Sequence, residues 1–174
     1  INTYEESFSN LSDTLFYQLS SQTYLKLFFD GVQWAKHDSS DVYWLGDFKT
    51  ITRKLLDYAQ ANPGNAQDIF LDLIQSIRGI DSQTDAVSSS NPLVGVNAQQ
   101  LNDDITRFLQ NEDLSSYSVR AIGLVLSMAY EAVGNSNFSG NDADNYLFGF
   151  DGDGYINGGA GNDVIEGGID NDFI

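Results

Sequence analysis

From residue 140 onward the chain reads in nines, and this period constrains its fold more than any other feature. The blocks are GNDADNYLF (140–148), GFDGDGYIN (149–157), GGAGNDVIE (158–166) and GGIDNDFI (167–174, one residue short). Leu147, Ile156, Ile165 and Ile174 each occupy the eighth position, and Phe138 lies one further period back in a block without the glycines. Six glycine-rich residues permit a tight turn with backbone angles that a Cβ resists. The three that follow form a short strand with one apolar side chain pointing inward. Stacking such turns brings carboxylates together, and strands this short cannot offset their repulsion. A hard divalent ion taking six to eight oxygens resolves the conflict, and flexible Ca²⁺ suits mixed carbonyl and carboxylate ligands better than octahedral Mg²⁺. Metal binding then becomes part of folding, because the site does not exist in the unfolded chain.

The block 158–166 fits G-G-x-G-x-D-x-U-x at every fixed position, and the repeats resemble the calcium-binding RTX (repeats-in-toxin) family. The resemblance covers about a fifth of the chain and implies a parallel β-roll with Ca²⁺ held between turns two blocks apart. Turn 158–163 would pair with turn 140–145, and turn 167–172 with turn 149–154. In the family the later turn offers carbonyls at positions one and three and the Asp at position six. Carried over, these are Gly158, Ala160 and Asp163 in one site, and Gly167, Ile169 and Asp172 in the other. From the earlier turns Ala143 and Asn145 would join the first site, and Gly152 and Asp153 the second. The sequence also departs from the pattern. Asn141 and Ala143 replace glycines and Asn145 the acidic residue; Phe150 replaces a glycine, and Gly154 stands where the Asp belongs, with Asp153 one place early. The repeats therefore read as the frayed start of a roll holding one or two Ca²⁺. Because the chain begins at Ile1 and stops in mid-repeat, it reads as a piece of a larger RTX polypeptide.

Composition divides the chain at the same place. Of its 174 residues, 8 are Lys or Arg and 25 are Asp or Glu, for a net charge of −17. Every basic residue lies between Lys26 and Arg120. So acidic a chain repels phosphate backbones and anionic lipid, which argues against nucleic-acid binding. No apolar run approaches the roughly 20 residues of a membrane span. Cysteine is absent, which removes disulfides, thiolate metal sites and cysteine nucleophiles. Hydrophobic residues make up 41% of the whole chain and aromatic ones 13%, a core-forming composition.

That first part carries helical periodicity. Phe8, Leu11, Leu15 and Leu19 form one stripe, extended by Tyr24, Leu27 and Phe28. Phe48, Ile51, Leu55 and Tyr58 form a second, opened by Asp47 as N-cap and closed before Asn62-Pro63-Gly64. Ile69, Phe70, Leu73 and Ile77 form a third, with Gly79 as its stop. A Ser-rich loop between Asp81 and Pro92 leads to Leu101, Ile105 and Phe108 behind a capping-box-like Asn97 and Gln100. The last stripe is Val119, Ile122, Leu126, Ala129 and Val133, after a start signal at 115–118. The expected fold is mostly α: an amphipathic helical bundle over residues 1–134, then a short C-terminal parallel β-roll over 135–174. Gln22-Thr23-Tyr24-Leu25-Lys26 weakly resembles a helical segment that precedes the repeats in some large iron-regulated RTX proteins, which supports placement only.

Other constellations favour structural roles. Asp151-Gly152-Asp153-Gly154 lacks the ligands at positions five and twelve that an EF-hand needs, where Tyr155 and Asn162 stand. His37 is the only histidine and sits in an apparent interhelical loop without a G-x-S-x-G elbow. Asp103-Asp104 and Glu5-Glu6 read as solvated helix starts rather than a glycosidase pair. Trp34, Tyr43 and Trp44 read as closing the core over helix ends, although they could instead form a ligand platform. Asn137-Phe138-Ser139 fits a glycosylation sequon by chance. The expected function is a non-enzymatic, calcium-binding structural or adhesive module. What the resemblance implies is a secreted or surface-held bacterial protein exported by a type I system, folded by calcium outside the cell and facing a host or cell-surface ligand. Alternatives are an accessory domain of an RTX hydrolase and a ligand-binding adhesin domain.

Overall fold

The computed structural model describes residues 23, 25–29, 34–36, 44–46, 48–81, 98–134, 137–151 and 153–174. The first stripe, Asp47, His37, Tyr43, Asn97 and the Ser-rich loop lie outside these residues. Among the described residues the chain forms five helices: α1 (Lys26–Phe29), α2 (Phe48–Ala61), α3 (Ala66–Asp81), α4 (Ala98–Asn111) and α5 (Val119–Ala132). Six three-residue strands accompany them: β1 (Trp34–Lys36), β2 (Trp44–Gly46), β3 (Asn137–Ser139), β4 (Tyr146–Phe148), β5 (Tyr155–Asn157) and β6 (Val164–Glu166).

α2, α3 and α4 bury much of the apolar rows that their spacing marks out. Ile51, Leu55, Leu56 and Ala59 of α2 pack with Phe70, Leu73 and Ile74 of α3 and with Leu101, Ile105 and Phe108 of α4. Phe28 closes one side, its ring edge-on to Tyr58 at 5.4 Å and to Phe70 at 6.0 Å. At this end Leu25 and Phe28 are buried while Leu27 is exposed, so the inward face is offset from the expected stripe. Gly79 does not stop α3, which continues to Asp81; an isolated glycine costs a helix only about 1 kcal/mol relative to alanine. The segment around Trp34 and Trp44 is not a simple interhelical loop either. β1 and β2 pair antiparallel, Trp34 opposite Gly46 and Lys36 opposite Trp44. Runs of three residues are too short for a period to register, although the aromatic composition favours extended chain.

α5 is the central helix. Ser118 caps it, its hydroxyl accepting the Ala121 N–H at 3.2 Å, and Gly134 follows it at φ 70° with its N–H on the Glu131 carbonyl. The buried residues run almost all the way round: Ala121, Leu124, Val125, Met128 and Ala129 pack in the helical core, while Gly123 and Ser127 face β4. The expected inward row is therefore corrected. Val119 is 50% exposed, and Ile122 and Leu126 are half-buried, because the helix is apolar on more than one face.

After α5 the strands pair at a separation of eighteen residues, always in parallel. β3 pairs with β5 (Phe138 opposite Ile156), β4 with β6 (Leu147 opposite Ile165), and Tyr155 bridges Phe173. Successive strands thus alternate between two small sheets, one pair of nine-residue blocks completing each coil. Phe138, Leu147 and Ile156 form the interior, with Ile165 against them and Tyr130 of α5 stacked on Phe138 at 5.4 Å. Phe138 thus belongs to the same apolar column as the regular blocks. β4 is buried at all three positions, whereas β5 and β6 expose the outward two.

Candidate metal centre in the stacked turns

The eighteen-residue register superposes turn 158–163 on turn 140–145 and turn 167–172 on turn 149–154. The same pair of hydrogen bonds joins each stack. At position six the later turn supplies the acceptor: Asp163 Oδ1 takes the Asn145 N–H at 2.9 Å, and Asp172 Oδ1 takes the Gly154 N–H at 3.1 Å. At position five the direction reverses. Asp144 Oδ1 takes the Asn162 N–H at 2.8 Å, and Asp153 Oδ1 takes the Asn171 N–H at 2.9 Å. Asp153, one place early by the repeat pattern, therefore holds the position of Asp144 and binds the turn above.

The other oxygens of the position-six carboxylates lie over glycine. A Cβ on Gly158 would stand 2.4 Å from Asp163 Oδ2, and one on Gly167 would stand 2.6 Å from Asp172 Oδ2. The position-one carbonyls face the earlier turn. A Cβ on Gly140 would meet the Gly158 oxygen at 2.2 Å, and one on Gly149 the Gly167 oxygen at 1.9 Å. In each stack a carboxylate oxygen and a carbonyl oxygen thus pack closely against glycines, where a side chain would collide with them. Gly161 packs over the Ala143 carbonyl, within 2.8 Å of where its Cβ would be. Ala160 is exposed, the Ile169 N–H donates to the Phe150 carbonyl at 2.8 Å, and Gly152 lies outside the described residues. Among the described residues no three His, Cys, Asp or Glu side chains converge on one point. A site built from these turns would offer mainly carbonyl and amide oxygens with one or two carboxylates, a set that suits a hard, flexible cation rather than zinc.

Backbone angles show what the repeat glycines do. Gly159 and Gly168 at position two have φ 91° and 100°, and Gly161 at position four has φ 107°. Phe150 takes the same turn position at φ 60°. Left-handed backbone costs a residue with a Cβ about 1–2 kcal/mol, but Phe150 is buried in the helical core, edge-on to Phe148 at 4.7 Å. Burying such a ring contributes about 1.5–3 kcal/mol, enough to offset the strain. The departure from glycine is an anchor.

Turn 140–145 is closed differently. The Asn141 N–H donates to Asn145 Oδ1 at 2.8 Å, while Asn141 Oδ1 accepts the Ala143 N–H at 2.8 Å and Asn145 Nδ2 at 3.2 Å. Two neutral amides therefore span the turn where later turns carry Asp163 and Asp172.

Residues of α5 join this region to the bundle, and hydrophobic periodicity does not find them. Gly123 lets β4 approach so closely that a Cβ would fall 1.8 Å from the Tyr146 carbonyl oxygen. Ser127 Oγ accepts the Phe148 N–H at 3.0 Å. Arg120 lies over the Tyr146 ring, 4.8 Å from its centroid, and donates to Gln67. The Tyr146 hydroxyl donates to the Glu166 carboxylate. Burial, and then this hydrogen bond, push the phenol well above its ordinary range, against the pull of Arg120. Residues 120, 123, 127 and 130 share one helix face, but they are Arg, Gly, Ser and Tyr. The signal available in the sequence was instead in the strand: only the first block is apolar at positions seven, eight and nine.

The remaining candidates are occupied otherwise. Asp103 accepts from Gln99 and Asp104 from Arg107, both at 2.8 Å, and Asn137 Oδ1 accepts the Tyr155 N–H at 3.0 Å. Val119, Ile122, Leu126 and Tyr130 line an open groove of about 360 Å³ between α4, α5 and turn 140–145. No described helix is long and apolar enough to cross a membrane. No family model, curated protein or solved structure matches the chain.

Proposed function

We propose that the C-terminal coils are an RTX-like β-roll that binds Ca²⁺ between stacked turns. The helical bundle with its roll would then serve as a non-enzymatic, calcium-dependent structural or adhesive module of a secreted or surface-held protein. The observation that carries this reading is the pair of position-six carboxylates, Asp163 and Asp172, each with one oxygen committed to the turn below and the other beside a required glycine. In one stack Gly158, Ala160 and Asp163 would hold the ion together with Ala143 and Asn145. In the other, Gly167, Ile169 and Asp172 would do so with Gly152 and Asp153. The ion supplies positive charge among acidic turns that carry no Lys or Arg of their own.

The same coils share apolar packing with the bundle through Tyr146, Phe148 and Phe150, so calcium bound there stabilises the helices by linkage. At free Ca²⁺ about a hundredfold above its Kd, one such site contributes about 2.7 kcal/mol. The double variant Asp163→Ala/Asp172→Ala tests this through the thermal unfolding of the helices, followed by far-ultraviolet circular dichroism. Calcium should raise the Tm of the parent protein and leave that of the variant unmoved. An equal calcium response in both would remove these two residues from the site.

A further inference from the structure

The first coil, residues 137–148, carries Asp142 and Asp144 in its turn, but it differs from those after it in how the turn is closed and in what its strands lean on. Its turn is closed by the Asn141–Asn145 amide pair, and an amide supplies both donor and acceptor without adding charge. Both of its strands lean on α5: Phe138 stacks on Tyr130, Phe148 donates its N–H to Ser127, and the Tyr146 carbonyl rests against Gly123. Phe150, immediately after it, is held in the helical core at φ 60°. The later coils lack these supports. Val164 and Phe173 are 53% and 67% exposed, and turns 158–163 and 167–172 carry Asp at position six, its charge held close to the acidic residue of the turn below.

We propose that α5 and the asparagine pair hold the first coil in its rolled form without a cation, making it a template on which the cation-dependent coils assemble outward from the helix. The two coils are then unequal by construction, and the roll forms with a fixed direction and register. A free strand of this kind pays the cost of finding its register; here β4 and β3 present it ready-made to β6 and β5. The second half of the proposal rests on the calcium reading above, the first half does not.

Residue-resolved amide hydrogen exchange on the full chain, in EGTA and then in calcium, separates the two. In EGTA the Phe148, Asn141 and Ala143 amides, bonded to Ser127 and within turn 140–145, should exchange about tenfold or more slowly relative to Val164, Ile169 and Phe173. Calcium should bring the latter group to the same protection. Two variants test the cause, with α5 amide protection showing that the bundle stays folded. Ser127→Ala should speed exchange at Phe148 and weaken calcium binding several-fold. Asn145→Asp should loosen turn 140–145 in EGTA and let calcium restore it. If 137–148 exchanges as fast as 164–173 in EGTA while α5 stays protected, the template is overturned. If Asn145→Asp leaves exchange in EGTA unchanged, the asparagine pair is not its cause. If the first coil is protected and calcium protects nothing further, the calcium reading fails and the template stands alone.

Discussion

Gly123 is a residue on which two physical effects predict opposite signs. Helix propensity alone makes Gly123→Ala stabilising by about 1 kcal/mol. Packing makes it destabilising, since the new methyl group would sit 1.8 Å from the Tyr146 carbonyl oxygen, backbone that cannot turn aside. Overpacking of this kind costs about 1–3 kcal/mol, so urea denaturation should show a net loss of stability. A gain would mean that β4 does not dock where it is described. Tyr146 gives a second test at this scale. Its phenol is held above the ordinary value of 10.0, so the folded state keeps a proton that the unfolded state releases. The resulting stability is present below about pH 10 and declines as pH rises through the folded value. Alkaline titration followed near 295 nm should show Tyr146→Phe removing one phenol that ionises above the ordinary range. None of these pairings was legible in the sequence, because Gly, Ser and Arg on one helix face carry no hydrophobic signal and the strand they meet lies 21 to 26 residues further along.

At the scale of elements, α2 to α5 were readable because 14- or 16-residue helices repeat their apolar spacing often enough to be unambiguous. What the spacing could not settle was which face of an all-round apolar helix meets its neighbours. α5 illustrates this, since the row Val119, Ile122, Leu126 lines the groove while Leu124, Val125 and Met128 fill the core. β1 and β2 were missed for want of length. Turn 149–154 shows the converse, a rule broken for a reason visible only in three dimensions. Phe150 abandons the position-two glycine to reach the bundle. Phe150→Ala should therefore cost more stability than Phe150→Gly. Both lose the ring, worth about 3–5 kcal/mol, but only glycine recovers the roughly 1–2 kcal/mol of left-handed strain. The reverse order in chemical denaturation would contradict the anchor.

For the whole molecule, the nine-residue period carried most of the information about the site. It sets which turns stack, and the eighteen-residue pairing of strands follows from two such blocks per coil. The period does not reveal that the first coil is built into the bundle, because that depends on packing against α5. With a net charge of −17 and no Lys or Arg after Arg120, the C-terminal coils have no basic residue of their own to offset their carboxylates. The most direct test of this account is calorimetric titration of metal-free protein with Ca²⁺, run beside Mg²⁺ and paired with circular dichroism. The account predicts saturable binding of one or two Ca²⁺ with a gain of ordered structure, and little response to Mg²⁺. Equal responses to the two ions, or no binding by a folded chain, would contradict it.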